Sequence, residues 1–212
     1  MTRIKICGIT NVEDARAAVD YGAHALGFIL VPESPRFISD VDRLFETVRS
    51  VPPFVGRVGV LRDAASLQEL PFEESDELFD TFQLYDTTFW PANGEARLVF
   101  AVRVSDRASL DAIDPTIEWD AILLDTYHKD KLGGSGETFN WDLAVEAKER
   151  FGRPIILAGG LTPENVGDAI ATVRPYAVDV SSGVEAEPGR KDHAKLRAFI
   201  RAVQDTDRRL DS

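Results

Sequence analysis

"PIILAGGLTPENV", residues 154–166, is a strand, a glycine turn and a helix start in succession. The apolar β-branched run after Pro154 reads as a buried strand. Gly159 and Gly160 then break it, and Thr162 followed by Pro163 supplies an N-cap and a first-turn proline. This is one βα unit, and the rest of the chain repeats it. Short apolar runs separated by amphipathic stretches occur eight times: "RIKIC" from Arg3, "HALGFIL" from His24, "VGRVGVL" from Val55, "TFQLY" from Thr81, "RLVFAVRV" from Arg97, "DAILLD" from Asp120, "PIILAG" from Pro154 and "YAVDVS" from Tyr176. Thr10 with Glu13 has capping-box spacing, and Ser39 with Asp42 is a weaker instance.

Eight alternations predict a parallel sheet closed into a single-domain (β/α)8 TIM barrel rather than an open doubly wound sheet. At 212 residues the chain is short for that fold, so helices and loops must be economical. The least regular stretch is "PFEESDELFDTFQLYDTTFWPANGEARL", which holds the fourth unit. No low-complexity linker or long charge run marks an internal boundary, so residues 1–212 read as one domain, with a tail expected to fray from about residue 205.

The net charge of -12 argues against nonspecific nucleic-acid binding, because an acidic surface repels phosphate backbones. Only six of the 24 basic residues are lysine, and this acidic, lysine-poor balance resembles proteins of salt-loving organisms. Halophily predicts stability that rises into molar salt, which denaturation across a salt series checks. A single cysteine excludes an internal disulfide framework and fits a reducing compartment. No run is long enough to span a bilayer, and "MTRIKICGIT" lacks the apolar region of a secretory signal, so a cytoplasmic protein without membrane partners is expected.

Barrels of this kind carry their chemistry on the loops at the C-terminal ends of the strands. Three glycine-bearing segments follow late strands: "GGSG" (Gly133 to Gly136), "AGGL" (Ala158 to Leu161) and "SSGVE" (Ser181 to Glu185). Glycine lets backbone amides approach an anion, and the last two follow the strands whose loops commonly hold phosphate. Cys7 ends the first strand. By residue type it reads first as a small buried hydrophobe. Asp125 ends "ILLD", where apolar neighbours raise a carboxyl pKa and suit it to acid catalysis, or where it serves as a cap. Arg36 follows the second strand, placed to grip a carboxylate with two parallel hydrogen bonds or to lie on the surface. Of the three histidines, His24 falls at the presumed bottom face, His193 in the last helix and only His128 near the mouth. They have no ligand spacing, so no metal is expected. With no dinucleotide fingerprint or Walker loop, no cofactor is expected either.

Together these segments resemble the phosphoribosylanthranilate isomerase family of tryptophan biosynthesis. The matching stretches, in the family's order from Lys5 to Asp192, are "KICGIT", "ALGFILVPESPRFIS", "VGRVGV", "ILLDTYHKDKLGGSGETFNW", "ILAGGLTPENV" and "VDVSSGVEAEPGRKD". The resemblance implies the barrel and an Amadori rearrangement of a small phosphorylated substrate by a monomer or homodimer. It implies Asp125 as general acid toward the ribose ring oxygen and Cys7 as general base toward the neighbouring sugar carbon. Arg36 would hold the anthranilate carboxylate. Gly159, Gly160, Ser182 and Gly183, with Gly134, Ser135 and Gly136, would hold the phosphate. Phosphate-site dipoles and Lys5 are expected to favour the thiolate, although Lys5 equally suits a buried ion pair. One departure stands out: "QLYD" places Tyr85 and Asp86 where the family usually carries His and Gly. Leu61 and Asp63 in "VGVLRD", where Phe and Asn are common, are a minor change.

Three other readings compete. A related phosphate-binding barrel would need either extra catalytic Lys and Glu at strand ends, as in indole-glycerol-phosphate synthase, or metal-binding histidines, as in a pentose-phosphate epimerase. A noncatalytic sugar-phosphate sensor has no need of an acid and a base, and a redox-sensing thiol leaves Asp125 unexplained.

Overall fold

The computed structural model describes residues 1–67, 78–85, 96–114, 119–126 and 140–212. Each of the eight apolar runs is a strand: β1 (Arg3–Cys7), β2 (Ala25–Ile29), β3 (Gly56–Leu61), β4 (Thr81–Leu84), β5 (Arg97–Val104), β6 (Ala121–Thr126), β7 (Ile155–Leu157) and β8 (Ala177–Val180). They pair in parallel in sequence order, and β8 closes on β1. The described helices are α1 (Val12–Tyr21), α2 (Val41–Arg49), α3 (Arg107–Asp111), α4 (Asp142–Phe151), α5 (Val166–Val173) and α6 (His193–Leu210). A short antiparallel pair, β9 (Glu185–Glu187) and β10 (Arg190–Lys191), follows β8.

Strand alternation sorts the side chains into two sets. Ile4, Ile6, Leu26, Phe28, Val178 and Val180 join the large core shared with the helices. The alternate set fills the barrel interior, with small or branched residues such as Ala101, Ala121, Ala158 and Ala177 in one cluster and Cys7, Val58 and Val60 in another. Lys5, Gln83 and Asp179 are buried polar members of these strands. Closure sets the register that matters for chemistry. Lys5 lies beside Asp179 across β1–β8, Cys7 beside Gly27 across β1–β2, and Arg103 beside Asp125 across β5–β6.

Two helix caps sit one residue from the expected positions, and α5 starts at Val166 with Asn165 at its N-cap, three residues after the expected Thr162. Asn11, not Thr10, caps α1 by accepting the Asp14 N–H at 2.8 Å, and Thr10 instead donates to the Gly189 carbonyl. Asp40, not Ser39, caps α2 by accepting from Arg43 at 3.2 Å. In both places the neighbouring side chain takes the orphan N–H. Before α5, the Thr162 hydroxyl accepts from Glu164 at 3.2 Å while Asn165 accepts from Thr162 at 2.8 Å. The expected frayed tail is instead helical as far as Leu210. Val203 and Thr206 are buried there, and Asp207 accepts from the Thr2 N–H and hydroxyl, which ties the last helix to the start of the chain.

Candidate active site

A cavity of about 540 Å³ opens at the C-terminal ends of the strands, with Cys7, Arg36, Tyr85, Asp125, Gly159 and Ser182 among its walls. Gly160 and Gly183 line it as well, so the structure brings together every expected site residue that lies within the described part. Gly134, Ser135 and Gly136 lie outside the described residues, as do His128 and Asp86.

On one side stands Cys7, buried at the end of β1. Opposite it, Gly27 makes room, since a Cβ there would lie 2.8 Å from the thiol sulfur. Burial pushes the thiol above its ordinary pKa, and the charges of Lys5 and Lys191 oppose that rise. Lys5 therefore meets both expectations. Its ammonium is 3.0 Å from Asp179, a buried ion pair, and it also favours the thiolate. Burial works to lower Lys5, but the Asp179 carboxylate overcomes it and holds the ammonium above its ordinary value.

Arg36 reaches the site from the loop after β2. Its side chain is 10% exposed and is held by Glu185, which accepts from Nε at 2.8 Å and from Nη2 at 2.7 Å. Gly8, at φ 73, permits this approach, because a Cβ there would lie 2.6 Å from the Arg36 Cδ. Glu185 also accepts from the Lys191 ammonium at 2.9 Å. Burial pushes the Glu185 carboxyl up, yet the bonds from Arg36 and the charge of Lys191 outweigh it and hold it below the usual glutamate value.

Across the cavity, Asp125 sits near the end of β6. Burial and the Asp179 charge raise its pKa, against smaller opposing effects from Tyr85 and Arg103. Tyr85 donates its hydroxyl to Asp125 Oδ2 at 3.3 Å, and the Arg103 guanidinium lies 4.8 Å from the centre of the Tyr85 ring. The residue standing where the family usually has histidine is thus directly linked to the expected acid.

The remaining wall is made of backbone. Gly159 and Gly160 follow β7 at φ 82 and 64, and Ser182 opens a single 3₁₀ turn, Ser182–Val184, after β8. Gly183 is required by packing, since any Cβ would collide with the Leu161 carbonyl oxygen. Paired glycine loops on adjacent strands leave amides free to meet an anion. Among the described residues no cluster of His, Cys, Asp and Glu is arranged to hold a metal.

Sequence reasoning gave no role to Asp179, Glu185, Lys191 or Arg103. The one signal available was their position inside strand ends or glycine-flanked segments already marked for chemistry, such as "SGVE" and "GRKD".

The model of the family described as N-(5'-phosphoribosyl)anthranilate (PRA) isomerase matches residues 4–202. The chain belongs to this family. An N-(5'-phosphoribosyl)anthranilate isomerase of Geobacter sulfurreducens is 45% identical, over 96% of this chain and 99% of that protein. The crystal structure of phosphoribosyl anthranilate isomerase from Thermotoga maritima superposes with a TM-score of 0.83 at 39% identity, covering 97% of this chain and all of that one. Another solved family member, similar at a TM-score of 0.80 and 37% identity over 97% of this chain and all of its own, is in complex with reduced 1-(o-carboxyphenylamino)-1-deoxyribulose 5-phosphate. Family membership makes this an isomerase fold with its cavity at the usual end of the barrel.

Proposed function

We propose that the chain isomerises N-(5'-phosphoribosyl)anthranilate to the carboxyphenylamino deoxyribulose phosphate in the cytoplasm, with Asp125 as general acid and Cys7 as general base. The observation that carries this reading is the convergence of a thiol, a carboxyl with a raised pKa and two glycine loops on one cavity. Asp125 gives its proton to the ribose ring oxygen, which opens the sugar to a protonated Schiff base. Cys7 then takes the proton from the neighbouring carbon. The resulting enolamine tautomerises to the ketone, so the product is an isomer and no external oxidant, reductant or cofactor enters.

The rest of the cavity suits the two anionic ends of the substrate. Glu185 occupies Nε and one Nη2 hydrogen of Arg36, and the remaining guanidinium hydrogens take the anthranilate carboxylate. Backbone amides around Gly159, Gly160, Ser182 and Gly183 take the phosphate, with Gly134, Ser135 and Gly136 assigned there by resemblance alone. Turnover of freshly made substrate, followed by loss of anthranilate fluorescence, tests the reading. A wild-type protein that binds the phosphorylated substrate without turning it over would replace it with a sensor.

A further inference from the structure

Lys191 is outside the cavity wall, yet its ammonium is among the most enclosed charges near it, with its side chain 0% exposed. All three of its donors are used. Nζ donates to the Cys7 carbonyl at 2.6 Å, to Glu185 Oε1 at 2.9 Å and to the Ser181 carbonyl at 3.3 Å. These partners are the last residue of β1, the residue that follows β8, and the carboxylate that fixes Arg36. One ammonium therefore joins the base, the phosphate loop and the carboxylate-binding arginine. Glu185 is already forked onto Arg36, so a single carboxylate serves two cations. The nearby Asp14 does not restore the balance at the ammonium. It takes the Lys191 backbone N–H at 2.9 Å, and its other oxygen is 2.8 Å from His193.

Burying an ammonium this fully is costly, and an apolar side chain of the same length would fill the space without that cost. We propose that Lys191 is a positioning residue for the base: it ties the strand ends carrying Cys7 and Ser181 together and leaves beside the thiol a positive charge that Glu185 does not cancel. The proposal rests on the reading of Cys7 as base. The titratable and charged groups around the thiol are Lys5 from β1, Asp179 from β8, Arg36 from the loop after β2, Tyr85 after β4 and Lys191 from β10, while β3 presents only Val58 and Val60. Gly27 on β2 adds no titratable group. Burial and Asp179 favour the thiol, whereas Lys5 and Lys191 favour the thiolate.

Because Cys7 is the sole cysteine, the rate of its alkylation by iodoacetamide against pH reports this thiol directly and needs no turnover. Wild type is compared with Lys191→Met, Glu185→Gln and the double variant. Lys191→Met is expected to slow alkylation at neutral pH by about tenfold, the effect of one nearby buried charge, and Glu185→Gln to speed it by a similar factor. In the double variant one cation and one carboxylate leave together, so alkylation should return to within about threefold of wild type while kcat stays low, because the bond to the Cys7 carbonyl is still missing. A Lys191→Met profile that superimposes on wild type overturns the proposal. Full recovery of kcat in the double variant overturns its tethering half. Should Lys191→Met fail to fold, the direction of the Glu185→Gln shift decides alone. A wild type with no turnover whose variants still show these shifts would refute the isomerase reading and leave the charge effect of Lys191 standing.

Discussion

Cys7 is enclosed by charged groups that pair with one another, Lys5 with Asp179 at 3.0 Å and both Arg36 and Lys191 with Glu185. Asp125, across the same cavity, accepts a long hydrogen bond from Tyr85 at 3.3 Å and a backbone one from Thr126, with a cation set behind the Tyr85 ring. In the proposed mechanism the two sides face opposite demands. A base must lose its proton in a buried place, which takes fixed positive charge nearby. An acid must carry a proton when the substrate arrives, which burial favours by raising its pKa. Among the described residues the base side is accordingly dense and tied into the barrel closure, and the acid side has fewer charged partners.

The largest way to break the comparison is to remove either proton carrier. Cys7→Ser and Asp125→Asn should each lower kcat by about a hundred to ten thousandfold, the usual contribution of a positioned acid or base, read by anthranilate fluorescence. Full activity in both variants would refute the assigned roles. Next comes Lys5→Met, which leaves Asp179 buried and unpaired. Breaking such a pair costs about 3–5 kcal/mol, so the urea midpoint should fall sharply. Arg36→Ala should raise KM by about ten- to a hundredfold with a smaller change in kcat, as loss of charge-assisted bonds predicts, and an unchanged KM would count against its role.

Acid should also weaken the base side, through Glu185. Glu185 is held below its ordinary value in the folded protein. Its contribution to stability is therefore complete above the unfolded glutamate pKa and is lost as pH falls through the lower folded one. Denaturation midpoints measured down an acid series should show that decline, and Glu185→Gln should flatten it.

The barrel was legible because each strand is a local apolar run with its own punctuation, and all eight appear where the runs stand. The strand-end positions of Cys7, Asp125 and the loops after β7 and β8 were legible for the same reason, but local reading left Cys7 as a buried hydrophobe and Asp125 as an acid or a cap, and only the family resemblance gave them roles. Their partners were not legible. Lys5 and Asp179 are 174 residues apart, Arg36 and Glu185 are 149 apart, and Lys191 and Cys7 are 184 apart. Those distances collapse only when β8 docks beside β1, so no reading of neighbours finds them. The caps of α1 and α2 missed by one residue because adjacent Thr and Asn, or Ser and Asp, compete for the same N–H groups. The tail misled because its charged residues look solvated, while Thr2 and Asp207 meet across the whole chain.

Tyr85→Phe sharpens the acid side with the smallest change. In the proposed mechanism the active form carries a proton on Asp125 and none on Cys7, the same total as the form with that proton on the thiol. Activity therefore falls at low pH, where both groups are protonated, and at high pH, where neither is. The Tyr85 hydroxyl donates to the Asp125 carboxylate and pulls its pKa down, against the larger upward push of burial. Removing the hydroxyl should move the acidic limb of kcat/KM to higher pH and leave the alkaline limb, set by Cys7, in place. The change in rate between the limbs should stay under about tenfold, because one long hydrogen bond is worth only about 0.5–1.5 kcal/mol. Movement of the alkaline limb instead would mean that Tyr85 acts on the thiol, and the two sides of the cavity would then be one coupled unit.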